Sequence, residues 1–187
     1  AVADVHSLES AGELVLSPLR DGRLASGSAP WQGVAVIDGN LTMDQLSRIA
    51  HEPGLIHADL RIVPASPGKA ERLAPLIGAA HGCFYLNRFE AEVLAHRDLP
   101  DAETAAQAML DLGMHRVLVT DGGHPVADGL AGEGVISVTP PRVTIARVTG
   151  AGDSFLAAHL AAERAGHDRM QALTRATQAA AAHVSGK

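Results

Sequence analysis

Aromatic side chains make up only 3% of this 187-residue sequence, so its interior cannot rest on stacked rings and has to be built from Ala, Val, Leu and Ile. Cysteine occurs once, at Cys83, which excludes an internal disulfide. A lone thiol inside Gly82-Cys83-Phe84-Tyr85-Leu86 reads as a small core residue and suits a reducing compartment, the cytoplasm. No apolar run is long enough to span a bilayer, and the first residues lack the basic-then-apolar pattern of a secretion signal. An excess of basic charge is missing too. Fifteen Lys and Arg stand against 21 Asp and Glu, a net charge of −6, which argues against a nucleic-acid-binding face and against a membrane-binding one. A polyanionic ligand would have to be held by local dipoles and a metal ion rather than by bulk charge. Ten histidines are present, yet no His-x-x-x-His pair or Cys/His cluster points to zinc.

With 47% hydrophobic residues the chain can bury a core, and its texture is one of alternation. Val34 to Ile37 forms a short β-rich run ending at Asp38-Gly39. Thr42 is placed to cap a helix carrying Met43, Leu46 and Ile49. Leu55 to Ala58 reads as the next strand, Lys69 to Ile77 as a helix, Cys83 to Leu86 as a strand and Asn87 to Ala95 as a helix. Asp101 caps an Ala-rich helix that stops at Gly113, and Arg116 to Thr120 is another buried strand. Strands separated by helices of about 10–15 residues imply βαβ units around a parallel sheet. From Val126 to Val148 the alternation of Val135, Ser137, Val143 and Ile145 suggests antiparallel strands at an edge. Two Ala-rich helices, Gly152 to Ala165 and Asp168 to Ser185, close the chain. Near its start, Glu13 to Leu16 reads as an edge strand and residues 18–32 as loop. No leading βαβ unit precedes them, so we expect one incomplete α/β domain over residues 1–187, with 1–30 a strand and loop remnant.

The segment that concentrates chemistry is Val148-Thr149-Gly150-Ala151-Gly152-Asp153-Ser154. It follows a β-branched run and opens a helix. Small residues at 150–152 let backbone N–H groups converge without side chains in the way, and a helix N-terminus favours anions. A carboxylate placed inside such an anion site can take the proton of a hydroxyl attacking a phosphoryl group. No Gly-Lys-Ser/Thr follows and no G-x-G-x-x-G occurs, so the turn is neither a P-loop nor a dinucleotide fingerprint.

Thr149 to Asp153 resembles the signature turn of the ribokinase-like (PfkB) carbohydrate and nucleoside kinases. The resemblance implies that Asp153 is the catalytic base and that Gly150, Ala151 and Gly152 supply the anion hole. Asn87-Arg88-Phe89-Glu90 resembles the family's Asn-x-x-Glu motif, which implies that Asn87 and Glu90 assist Mg2+ through water; the same pair also suits a plain helix cap. Val117 to Gly123 resembles the strand ending in Thr-x-Gly, which implies nucleotide contacts for Thr120 and Gly122, and Thr149 and His183 are expected beside the nucleotide as well. A packing or surface role is the simpler reading for His183, as for His159. Two positions depart from the family. Pro125 replaces a further glycine. Arg147 replaces an Asp or Asn and so argues against a monovalent cation; its side chain is read either as a phosphate partner or as a solvated strand-end residue.

The implied fold is the C-terminal part of a three-layer αβα domain that follows the family's lid, with a mainly parallel sheet and an antiparallel edge. The implied function is transfer of the γ-phosphate of ATP, with Mg2+, to a hydroxyl of a small-molecule nucleoside or sugar, and a homodimer is compatible with it. Asp38-Gly39-Asn40-Leu41, the Asn-Arg-x-Glu-Ala-Glu string and Pro64 to Ala70 look like pseudouridine kinases. Another sugar kinase of the ribokinase, fructokinase or adenosine kinase type, or a degenerate nucleotide- or sugar-binding protein, is the alternative. An α/β methyltransferase ranks below both, because its glycine turn belongs after the first strand.

Overall fold

The computed structural model describes residues 6–78 and 81–187. Six strands form one sheet in sequence order: β1 (Val34–Asp38), β2 (Asp59–Val63), β3 (Cys83–Asn87), β4 (Arg116–Thr120), β5 (Val126–Leu130) and β6 (Gly134–Val138). β1 to β4 are parallel, and β5 and β6 add an antiparallel edge. The helices are α1 (His6–Ala11), α2 (Met43–Ile49), α3 (Arg88–Ala95), α4 (Ala102–Asp111), α5 (Ala151–Arg164) and α6 (Arg169–Val184).

Strand alternation sorts the apolar residues into two layers. Phe84, Leu86, Val117 and Val119 face the core shared with α2, α3 and α4, while Cys83, Tyr85 and Leu118 face Phe155 of α5 and Leu173 and Ala176 of α6. The result is the three-layer α/β arrangement with a mainly parallel sheet expected from the alternation of elements. Among the described residues no helix is long and apolar enough to cross a membrane.

Four local expectations need correction. Glu13 to Leu16 is not a strand but lies in a 3-10 helix, Gly12–Leu19. Gln45 of α2 holds the Leu8 and Gly12 carbonyls there at 3.0 and 3.2 Å, which favours a coiled path over an extended edge. Leu55 to Ala58 is not the second strand. Pro53 opens a 3-10 turn, Pro53–Leu55, whose Gly54 N–H donates to the Glu52 carboxylate, and extended structure begins only at Asp59. The helix over 69–77 is a 3-10 helix, Pro67–Leu76, with Pro75 inside it; its buried residues Ala70, Leu73 and Leu76 recur every third position, matching three residues per turn. Val143 and Ile145 belong to no strand and are exposed.

A cluster of charges fixes where α5 begins. At the end of the sheet where the parallel strands start, Arg61 donates to Asp59 (2.7 Å) and Glu163 (2.6 Å), and Arg116 pairs with Asp128 (2.8 Å) and with Glu163. Arg169 of α6 pairs with Asp128 at 3.2 Å. Because Glu163 lies in the last turn of α5, its pairing puts the foot of that helix at the strand starts and its head at the strand ends. Within this cluster Arg61 donates to the Tyr85 hydroxyl at 2.9 Å, and that hydroxyl lies 2.8 Å from Nδ1 of His159. Burial lowers the His159 pKa from 6.5 to about 4, so the ring is neutral in the fold. For Glu163, burial alone would raise the pKa, but the Arg116 and Arg61 charges, joined by His159 once it is protonated at low pH, bring the net shift below the usual carboxylate value.

These shifts give stability a pH dependence. Between 6.5 and about 4 the unfolded chain takes up a proton at His159 that the folded chain does not, so stability falls as pH falls through this window. Loss of the Glu163 carboxylate acts in the same direction at lower pH. Denaturant titrations at pH 7, 5.5 and 4.5 should show this decline, and His159→Gln should flatten it. A wild-type stability that is constant across the window would contradict the assignment.

Candidate active site

α2, α3, α4 and α6 each start at a residue whose side chain accepts a backbone N–H: Thr42, Asn87, Asp101 and Asp168. α5 instead starts at Gly150, which has no side chain to offer and adopts φ +88°. The Ala151 N–H turns back onto the Val148 carbonyl at 3.0 Å, and the first helical bond runs from the Ser154 N–H to the Gly150 carbonyl at 2.9 Å. Among the described residues the amides of Gly150, Gly152 and Asp153 have no backbone acceptor, as expected for the open first turn of a helix. Of the three amides assigned from sequence, Ala151 therefore stands apart, since its hydrogen closes the turn. A Cβ built at Gly152 would meet nothing within 4 Å, so the space in front of these amides is open. Asp153 sits in this first turn and is exposed.

The strand ends bring a second group to the same edge of the sheet. Asn87 and Thr120 are register partners at the ends of β3 and β4, and the Thr120 hydroxyl points to the Leu86 carbonyl at 3.5 Å. Asn87 and Glu90 form a reciprocal cap. The Asn87 side chain accepts the Glu90 N–H at 3.0 Å, and the Glu90 carboxylate accepts the Asn87 N–H at 2.8 Å. Glu90 is buried, and that burial raises its pKa. Gly122 takes φ +58° in the loop after β4, where a Cβ would again meet nothing. Asp121 beside it is engaged by Arg88 at 3.1 Å. An open cavity of about 560 Å³, lined by residues including Arg88, Phe89, Asp101, Asp121, Gly122 and Pro125, lies on the α3 and α4 side of this loop. The turn at 149–153 is not part of its wall.

Arg147 and His183, read from sequence as separate residues, meet at the other flank of the turn. The His183 Nε2 lies 2.8 Å from the Thr149 carbonyl, and Arg147 Nε donates to the His183 carbonyl at 3.1 Å. Arg147 is exposed, as a solvated residue would be, with its Nε bound to the end of α6. The His183 ring fits there because position 150 is glycine: a Cβ would come within 3.1 Å of it.

The residues present fit a phosphate group at 150–153, by the open amides and the absent side chains. For Mg2+ they supply no set of direct ligands, since among the described residues no group of three His, Cys, Asp or Glu converges. The Asn87–Glu90 cap instead fits a role through metal-bound water, because magnesium retains several waters in such sites.

Two glycines separate shape from chemistry. Gly152→Ala should fold with near-wild-type stability, because its methyl points into open space, yet obstruct an anion there. Gly150→Ala should lose about 1–2 kcal/mol through positive φ and the clash with His183. Chemical denaturation of both variants checks this; equal stability loss in the two would contradict it.

Comparison with known proteins gives the following. A family model described as pfkB family carbohydrate kinase matches residues 38–187. Comparison with curated proteins gives no match. Among solved structures, a carbohydrate kinase from Agrobacterium tumefaciens superposes with a TM-score of 0.75 at 24% identity, over 96% of this chain and 55% of its own. Ribokinase from Thermotoga maritima gives a TM-score of 0.68 at 20% identity, over 88% of this chain and 52% of its own. Arabidopsis thaliana ribokinase complexed with ribose and ATP gives a TM-score of 0.68 at 21% identity, over 92% and 53%. At these identities the likeness is one of fold, and the chain spans about half the length of the structures it matches.

Proposed function

The chain belongs to the pfkB family of carbohydrate kinases, and from that premise we propose that it carries the phosphoryl-transfer site of an ATP-dependent kinase acting on a hydroxyl of a sugar or nucleoside. The observation that supports this reading is the exposed Asp153 carboxylate in the first turn of α5, beside amides left open by a glycine start.

In this reading the acceptor hydroxyl lies against Asp153, which takes its proton as the oxygen bonds to the γ-phosphorus and ADP departs. The Gly150 and Gly152 amides, with that of Asp153, face the charge that builds on the transferring group, where fixed donors are most effective. Ala151 belongs to the same anion hole once its N–H leaves the Val148 carbonyl. Thr120, Gly122, Thr149 and His183 border the nucleotide. Bound Mg2+ would supply charge neutralisation on the phosphates, and Asn87 and Glu90 would orient its waters. With Arg147 committed to the His183 carbonyl, no role for a monovalent cation is included.

Within the family we favour a pseudouridine kinase working in the cytoplasm. Two stretches that carry that resemblance touch: Lys69 Nζ donates to Asn40 Oδ1 at 2.6 Å, and Asn40 in turn donates to Asp38 at 2.7 Å. A ribokinase, fructokinase or adenosine kinase type of acceptor is the competing assignment, and a panel of pseudouridine, ribose, fructose and adenosine with the intact protein separates them.

Asp153→Asn in the intact protein should lower turnover by about 10²–10⁴-fold, the usual contribution of general base catalysis, while calorimetric ATP binding persists. Undiminished turnover would remove Asp153 from the role of base. ATP binding by the wild type, with no phosphorylation of any acceptor, would identify a binding protein instead.

A further inference from the structure

We propose that His183, braced by Arg147, is a positioning residue that fixes the direction of the Gly150 N–H in the anion-binding turn. The inference rests on the phosphoryl-transfer reading of that turn, and gives His183, at the end of a different helix, a role in it beyond bordering the nucleotide.

Residues 141–149 are exposed and lie outside the sheet, so β-pairing does not hold the approach to the turn. What holds it is the end of α6. The Val184 carbonyl accepts the Ala146 N–H at 2.9 Å and the Arg147 N–H at 3.1 Å, and the His183 carbonyl accepts Arg147 Nε at 3.1 Å. These carbonyls belong to the last turn of α6, where a cation is favoured; the His183 carbonyl also accepts the Gly186 N–H at 3.0 Å. A guanidinium at 147 therefore docks the approaching segment and secures the backbone of His183 in one step.

The His183 side chain then reaches the turn itself. A carbonyl can only accept, so the 2.8 Å contact with Thr149 requires the proton on Nε2. The peptide joining Thr149 to Gly150 is trans, like every peptide described. In a trans peptide the C=O and the N–H point in opposite directions. Holding the Thr149 oxygen on the His183 side thus turns the Gly150 N–H away from α6, toward the mouth that contains the Gly152 amide and Asp153. The ring can approach this closely only because position 150 has no Cβ, which would lie 3.1 Å from Nε2 and 3.2 Å from Cε1. Gly150 is also the residue most free to let the peptide flip. Without the His183 donor, a flipped peptide would aim a carbonyl at the phosphate in place of a donor.

The test uses the intact protein with His183→Ala, His183→Gln and Arg147→Ala. Gln places an amide N–H where Nε2 stands, so it is the variant that should rescue. Two readouts are taken: steady-state phosphorylation of the best acceptor, and 15N amide shifts of Gly150 during titration with inorganic phosphate. The expected result for His183→Ala is a kcat lower by about 10–100-fold, below the 10²–10³-fold loss on deleting a donor outright, with the acceptor KM little changed. The Gly150 amide should cease to respond to phosphate. His183→Gln should restore both, and Arg147→Ala should show a weaker form of the same loss. Wild-type kcat and wild-type phosphate response in His183→Ala would overturn the proposal, as would a loss that Gln does not restore. If His183→Ala fails to fold, Arg147→Ala and His183→Gln decide on the same two readouts. A wild type that phosphorylates nothing but shows a His183-dependent phosphate response at Gly150 would refute the kinase reading and leave the positioning role standing.

Discussion

The Glu163 carboxylate, shared between Arg61 of β2 and Arg116 of β4, is the interaction on which the candidate site depends. It joins the last turn of α5 to two strands at the end of the sheet opposite the chemistry. With that foot fixed, Phe155 and His159 pack against Tyr85 along the helix, and the head of α5 comes to rest beside the ends of β3 and β4. Three basic groups, Arg61, Arg116 and Arg169, meet three acids, Asp59, Asp128 and Glu163. A neutral His159 adds no charge to this balance. Buried ion pairs repay their desolvation only when well satisfied; here each carboxylate is met by at least one guanidinium, while the buried Nε of Arg61 and of Arg169 has no hydrogen-bond acceptor.

The head of the helix depends on omissions. Gly150 offers no side-chain cap, Gly152 puts no atom in front of the amides, and Asp153 is left exposed in the first turn. At α2, α3, α4 and α6 the cap side chain accepts one first-turn amide, which α5 has no side chain to do. The ion pairs thus lie at the foot of α5, and the open amides and exposed carboxylate at its head. The end of α6 joins the two, since it starts at Arg169 beside Asp128 and finishes at His183 beside Thr149.

Much of this was legible in the sequence because it is local. The glycine turn opening α5, the reciprocal cap of Asn87 and Glu90, and the buried runs of β3 and β4 are each encoded within a few neighbouring residues. The second strand was not legible, because Asp59 and Arg61 interrupt it with charge while Leu55 to Ala58 looks more apolar. Tyr85 and the distant Glu163, with Asp59 two residues away, accommodate Arg61 in a sheet interior. The helix expected over 69–77 spans 67–76 and has a tighter pitch than expected, because proline at 75 and burial at every third residue favour the 3-10 form. Arg147 and His183 carried no visible relation, being 36 residues apart and joined through backbone carbonyls that no sequence pattern marks.

The central claim is that the start of α5 receives a phosphoryl group and presents a carboxylate to the incoming hydroxyl. A crystal structure of the intact protein with a non-hydrolysable ATP analogue and its acceptor tests this most directly. The account predicts the terminal phosphate on the Gly150, Gly152 and Asp153 amides, with an Asp153 oxygen within hydrogen-bond reach of the acceptor hydroxyl. A triphosphate bound away from this turn, or a hydroxyl held by another residue with Asp153 facing bulk water, would contradict it.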